Sequence, residues 1–467
     1  MKDGSKKILL IYPPSPVLNR EDRCQQPTTE LIVIPPLPPT DLMYLAAVAE
    51  KEGLEAFIRD YSQKGNLITD LENIQPDYVV VNAATPTLEN DLSVFKIIKN
   101  ICPDCVTIAK GAAFLTIADD IMTKYKALDI IIIGEAEETL KEIVSDKSIY
   151  LISGIYYRDD FMIKFTGKRK FIDDLDKLPF PSRHLIDNKI YRRPDNNEIQ
   201  AVIKVSRGCP YHCFFCLATP VAGSQVRKRS PENILDEIKE CVEKYNIRNF
   251  IFWSDIFNLD KEWVKNLCNK IMESGIKITW SANTRADTAD LQTAELMYKA
   301  GCRLVSIGVE SGSQYILDKI GKKITTDDVQ KTVKIFKQAH IKIYNYFVIG
   351  LPWDNEETIE DTINFACELD SDFVSFYTAV PLPGTRFYNY ACENLLFNNE
   401  TTFENAYFYP AVNTHYLSKE RVFELHKKAV KTFYLRPKYI IRMLLRIRTF
   451  AEFKNYFRAG MNILLRK

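Results

Sequence analysis

SRGCPYHCFFC, residues 206–216, carries three cysteines at C-x3-C-x2-C spacing: Cys209, Cys213 and Cys216. The cysteines directly follow AVIKVSR (201–207), a short apolar run that reads as a buried strand. A strand running into a glycine and a cysteine loop places the thiols at the mouth of an α/β unit, where such folds keep their chemistry. Thiolates are soft donors suited to iron–sulfur clusters. Three of them on a [4Fe–4S] cluster leave one iron open, and the amino and carboxylate groups of S-adenosylmethionine can chelate it. One electron from such a cluster breaks a carbon–sulfur bond of that ligand and yields a 5′-deoxyadenosyl radical; the reactive chemistry is the cofactor's and the protein positions it. Two plainer readings compete. The cysteines could be ordinary core residues, or they could hold structural zinc, which needs a fourth ligand such as His212.

Toward the C-terminus the strand signal repeats in NFIFWSD (249–255), KITWSA (277–282), RLVSIGVE (303–310), KIYNYFVIG (342–350) and FVSFYTAVP (373–381). Helical patterns such as 232–245 and 326–340 separate these runs. Six βα units over 199–390 predict a partial (β/α)6 barrel of the TIM type, with its chemistry on loops at the carboxyl ends of the strands. From 391 to 467 the pattern is helical and basic. From Arg421 to the end there are thirteen Lys or Arg against Glu424 and Glu452, with apolar residues such as Tyr439, Met443, Leu444, Phe453 and Phe457 recurring through the tail.

Toward the N-terminus, 149–198 reads as a hairpin (150–167) and a Pro- and Asp-rich linker. Residues 1–148 alternate strands KILLIY (7–12), EAFIRD (55–60), DYVVV (77–81), VTIAK (106–110) and DIIII (129–133) with helical segments at 40–53 and 87–100. That alternation predicts a doubly wound, flavodoxin-like (Rossmann-like) parallel sheet with a ligand crevice at its carboxyl edge. No G-x-G-x-x-G opens the first helix, so a nicotinamide cofactor is not indicated. The 467 residues carry a net charge of +1, which argues against bulk nucleic-acid binding. Pro13 and Pro14 stop the only apolar run near the start, so no secretory signal is read there, and the scattered cysteines suit a reducing cytoplasm. Cys102 and Cys105, a CPDC spacing, read as packing.

Taken together, these motifs resemble the cobalamin-binding branch of the radical S-adenosylmethionine enzymes, which includes many class B methyltransferases. The resemblance spans about 5–465 and rests on GEAEETL (134–140), DDLDKLPFPSR (173–183), the cysteine motif, SIGVESGSQ (306–314), VIGLPWDNEET (348–358) and PLPGTRFYN (381–389). It implies cofactor contacts position by position. Phe215 would lie near the adenine of S-adenosylmethionine. Glu310 and Ser311 would touch its ribose or methionyl part, Arg285 its carboxylate, and Gly350 the adenine or simply a turn. The family's Gly-Gly-Glu after the second barrel strand is absent; FWSDIF (252–257) stands there, so Asp255 would take the amino group.

For cobalamin, the resemblance points to loops after the first sheet's strands: Tyr12, Pro13 and on to Pro16; Ala84, Thr85 and Thr87; Gly111 and Thr116; Gly134 and Glu135. None of the five histidines falls in 1–183, so cobalt would have no lower histidine ligand. The implied reaction is radical transfer of a methyl group from methylcobalamin to an unactivated carbon. The alternatives are an oxidative or ring-forming enzyme of the magnesium-protoporphyrin ester cyclase type and, more remotely, a non-enzymatic corrinoid or redox sensor. The substrate would be a small molecule, lipid or peptide, and the electron would come from a carrier such as flavodoxin or ferredoxin. The basic tail would either pack on the barrel with its Lys and Arg solvated, or lie on an anionic membrane surface, which would suit a lipid substrate.

Overall fold

The computed structural model describes residues 5–15, 18–21, 24–27, 36–160, 162–193, 197–397, 406, 409–447 and 450–465. Pro16, the end of one proposed corrinoid loop, lies outside them. Five parallel strands form the first sheet: β1 (Lys7–Tyr12), β2 (Glu55–Asp60), β3 (Tyr78–Asn82), β4 (Val106–Lys110) and β5 (Ile130–Ile132). Their order, β2-β1-β3-β4-β5, is the flavodoxin-like one, with the direction of winding reversing between β1 and β3. The inner runs are apolar on both faces because helices cover both. Ile8 and Leu10 pack against the helix Thr40–Lys51 side, while Leu9 and Ile11 pack against the helix Leu88–Ile101 side. The hairpin read from the sequence forms as β6 (Ile155–Asp159) and β7 (Met162–Phe165), and it extends this sheet in antiparallel fashion beyond β5. Ile155 and Tyr157 are buried there, which is why the hairpin stays on the sheet rather than standing off as part of the linker.

The linker crosses in 3₁₀ turns. Buried Arg183 fastens it to the second unit by donating to Val202 O (2.9 Å) and pairing with Glu237 (2.6 Å). The second sheet is β8 (Gln200–Lys204), β9 (Asn249–Trp253), β10 (Thr279–Thr284), β11 (Cys302–Glu310), β12 (Lys342–Ile349) and β13 (Phe373–Thr378). All are parallel and paired in chain order, with β8 and β13 as the two edges, so the barrel is open on one side. The run 201–207 is divided: after Lys204 the chain leaves the barrel, and Ser206–Arg207 pairs with Arg227–Lys228 as a short ribbon. The division turns the cysteine loop over the barrel mouth.

In the tail, the helix Lys419–Tyr434 packs on β13, where Tyr434 Oη accepts from Val374 N (3.1 Å) and donates to Val374 O (2.6 Å). The helix Pro437–Arg446 follows. Arg436, Lys438 and Arg442 bind Asp370, and Arg446 binds Asp372, so the tail docks on the barrel through its cations, of which Lys438 stays 80% exposed. No helix among the described residues is long and apolar enough to cross a membrane.

Candidate cofactor site

The cysteine loop begins at Gly208, whose φ is +98° and where a Cβ would lie 2.1 Å from Gln225 O. Only glycine fits that approach. Asp255, at the end of β9, accepts from Gly208 N (3.0 Å), and Cys209 N donates to Gly223 O (3.0 Å). Thr219 Oγ1 donates to Tyr211 O (2.9 Å), and Cys216 N donates to Cys213 O (3.2 Å). The loop is therefore held by its own backbone. Phe214 anchors it in an aromatic group with Trp353, Phe387 and Tyr390, while its neighbour Phe215 faces the other way.

Cys209, Cys213 and Cys216 all open on one cavity of 390 Å³. Burial pushes the Cys209 thiol up and the Cys216 thiol up to about 12, so metal loading must displace protons from them. His212 is exposed and does not line the cavity. Among the described residues no three His, Cys, Asp or Glu converge as a single ion requires. A four-iron cluster takes each thiolate on a different iron, so it needs no such convergence.

Alternate residues of each strand build the walls: Ile251, Trp253 and Asp255 from β9 and its end, Ser281 and Asn283 from β10, Ser306, Gly308 and Glu310 from β11, and Tyr344, Tyr346 and Val348 from β12. Glu310 has φ +71°, a costly conformation for a residue other than glycine, at a register shift in β11. That turn brings its carboxylate to Lys322 Nζ (2.5 Å). Burial alone would lower Lys322, but Glu310 and then Cys213 hold it above its usual value. Arg285 lies 3.7 Å from the Tyr211 ring, pairs with Asp287 (2.7 Å) and donates to the carbonyls of Lys322 and Lys323. Two buried hydroxyls of the lining, Ser254 Oγ and Thr284 Oγ1, have no partner among the described residues. A polar ligand in the cavity would satisfy them. Soft donors, ion-paired polar groups and unspent hydroxyls thus fit a cluster with S-adenosylmethionine.

Of the residues singled out for that ligand, Phe215, Asp255, Arg285 and Glu310 line the cavity with the cysteines. Ser311 and Gly350 are not in its lining. Ser311 Oγ is spent on Thr362 Oγ1 (3.0 Å) and Ser313 N (3.1 Å), which fix the loop behind Glu310. Gly350, at φ +89°, turns the chain under Val422, which a Cβ there would meet at 2.7 Å. Of its two readings, the turn is the one the packing supports. Lys322, Tyr211 and the trio Tyr344, Tyr346 and Tyr377 were not anticipated. Alternation in KIYNYFVI marks Tyr344 and Tyr346 as one face of a strand, but Lys322 sits in a loop with no pattern at all.

The first sheet faces the same region. Asn19 and Leu37 line the cavity, and Ala112 packs into the barrel's apolar core. At the carboxyl ends of β3 and β4, Ala83, Ala84, Ala112 and Ala113 present short side chains, and Gly111 admits Ala83 O where a Cβ would lie at 2.2 Å. All four alanines are buried, at 3% exposure or less, and none of them lines the cavity that holds the cysteines. Thr87 and Ala84 N bond to Asp91, which also pairs with buried Arg20 (2.5 Å), and Arg20 stacks 5.5 Å from Tyr12. Thr85 and Pro13 are buried near these groups, and Thr116 is exposed. Gly134 and Glu135 sit elsewhere, in a 60 Å³ cleft between the two units. There Arg207 binds Glu135 (3.0 Å) and Glu137 (2.5 Å), and Arg227 binds Glu135 (2.8 Å). Glu135 is therefore committed to a joint between the units. Asp41 spans the same cleft between Lys110 and Lys204; burial raises its carboxyl, but the two cations more than offset this and hold it low.

Residues 203–366 match the Radical SAM superfamily, and residues 35–144 match the B12 binding domain. The chain is 30% identical over 444 residues to an uncharacterized methyltransferase of Pyrococcus horikoshii, covering 93% of this chain and 94% of that protein. It is 24% identical over 364 residues to the anaerobic magnesium-protoporphyrin IX monomethyl ester cyclase of Cereibacter sphaeroides, covering 74% of this chain and 59% of that one. Among solved structures it shares the fold of the radical S-adenosylmethionine methyltransferase TsrM from Kitasatospora setae, determined with cobalamin and a [4Fe–4S] cluster. That match has a TM-score of 0.70 and 17% identity, and covers 93% of this chain and 90% of that one. With the thiol-lined barrel mouth facing a flavodoxin-like sheet and a relative matched along nearly its whole length, the chain belongs to the cobalamin-binding radical S-adenosylmethionine enzymes.

Proposed function

We propose that this protein is a radical methyltransferase that places a methyl group on an unactivated carbon of a small-molecule substrate. The observation that carries the reading is the single cavity that opens to all three cysteines and also to Asn19 and Leu37 of the N-terminal unit. Bound together, the cluster, S-adenosylmethionine and cobalamin would supply a hydrogen-abstracting radical and a transferable methyl group. Cys209, Cys213 and Cys216 would hold the cluster, and Asp255 steadies their loop through Gly208 N. Arg285, Lys322 and Glu310 would orient S-adenosylmethionine, while Ser254 and Thr284 offer it free hydroxyls. Tyr344, Tyr346 and Tyr377 would bind the substrate, their rings excluding water and their hydroxyls giving direction. A carbon-centred radical needs no general base, and none is assigned. A one-electron carrier such as flavodoxin or ferredoxin would reduce the cluster.

The reading predicts that the reconstituted enzyme, given substrate, forms 5′-deoxyadenosine, S-adenosylhomocysteine and methylated product together. 5′-Deoxyadenosine without S-adenosylhomocysteine or methylated product would instead favour a ring-forming reaction, as the name of the cyclase relative implies. The polar wall carries its own expectation. Lys322→Met leaves the Glu310 carboxylate buried without its partner, so affinity for S-adenosylmethionine should fall at least about tenfold, roughly 1.4 kcal/mol. Equilibrium dialysis on the cluster-loaded protein measures it, and unchanged binding would remove Lys322 from the site.

A further inference from the structure

The helices Pro437–Arg446 and Phe450–Leu465 enclose an apolar groove of 250 Å³, lined by Ile440, Leu444, Phe453, Phe457 and Met461 among others. The apolar surface continues outside the groove: Ile441 is 58% exposed, Leu445 82% and Phe457 60%. A contiguous exposed patch of large side chains marks a surface made to be covered. Its charge indicates by what. Residues 436–465 hold seven Lys or Arg against Glu452, and counting Asp370 and Asp372 as well still leaves a surplus of four cations. Lys454 and Arg458 are exposed on the helix that carries Phe453 and Phe457. A second copy of the chain, docking about a two-fold axis, would bring this cationic rim against itself.

We propose that this groove seats the protein on an anionic lipid bilayer, with Leu445 and Phe457 entering the headgroup boundary and the surrounding Lys and Arg meeting lipid phosphates. The contact is peripheral, since no helix among the described residues is long and apolar enough to cross. It lies at the end of the barrel away from the cofactor cavity. Tyr434 and Tyr439, which line the groove, bond to Val374 and Asp372 at the amino end of β13, whereas the cysteines lie over the carboxyl ends. The proposal is thus independent of the reaction assigned above.

The test is co-sedimentation of the full chain with vesicles of phosphatidylglycerol and phosphatidylcholine, against phosphatidylcholine alone. The full chain should favour the anionic vesicles at least about tenfold, with the preference shrinking as salt rises. Leu445→Asp with Phe457→Asp should abolish the binding, and Lys454→Glu with Arg458→Glu should remove the lipid preference. All four side chains are exposed, so circular dichroism and iron content should stay unchanged. Equal binding to both vesicle types, or binding that survives both double variants, would overturn the proposal. So would failure to bind combined with a concentration-dependent dimer that L445D/F457D dissolves, since the groove would then belong to a second copy.

Discussion

Cys213→Ala, purified and reconstituted without oxygen, should retain less than one iron per chain where the parent carries about four. Cleavage of S-adenosylmethionine should fall to background with it. The expectation follows from the loop's construction. Gly208, Thr219 and Gly223 hold its backbone through bonds that do not use the Cys213 thiol, so the alanine loop should keep its shape and lose only a ligand. Two thiolates would then face a cluster that needs three. Iron and sulfide analysis together with the visible spectrum make the measurement. A variant that still binds four irons and cleaves S-adenosylmethionine would remove Cys213 from the ligand set. Cys209 and Cys216 should behave alike, whereas His212→Ala should change neither quantity, because His212 points to solvent.

The second large effect concerns stability. Glu237 is fully buried between Arg183 of the linker and Arg229, with both guanidinium groups on its carboxylate. Burial alone would raise its carboxyl, but Arg229 and Arg183 pull it below the ordinary value of 4.5. Glu237→Ala leaves two buried cations without a counter-charge, which costs about 3–5 kcal/mol. The urea midpoint followed by circular dichroism should drop accordingly, and an unchanged midpoint would show that the linker does not depend on this pair. Because the folded-state value is depressed, the parent keeps this contribution above about pH 4.5 and loses it as the pH falls further. The variant should therefore show a shallower acid limb than the parent.

Much of this architecture is written locally. The runs at 7–12 and 106–110 are strands at those same residues because a parallel strand covered on both faces is a nearly continuous apolar run, and 55–60 is legible as an edge strand by the alternation that buries Ala56 and Ile58. The cysteine loop was legible for a different reason, since its spacing is a chemical requirement confined to eight residues. What escaped is held together by distant partners. Lys322 reaches Glu310 from a loop without periodicity, and Glu135, read as a corrinoid-loop residue, meets Arg207 and Arg227 from 72 and 92 positions away. Charged residues carry no sign of which distant charge they will meet, so such pairs appear only when the chain is folded. The pair Phe214 and Phe215 shows a finer limit. Both are aromatic and adjacent in a turn, and nothing in the sequence tells that Phe215 takes the cavity and Phe214 the core.

Arg207, clamped by Glu135 and Glu137, stands two positions before Cys209. The two halves of the protein are therefore not interchangeable modules. A barrel grafted onto a sheet without these two acids would inherit the cysteines but not the residues that fix the start of their loop. In any such chimera, Glu135, Glu137, Arg207 and Arg227 form one heritable unit with the iron-binding loop, and recombination breakpoints drawn in the linker would cut through it.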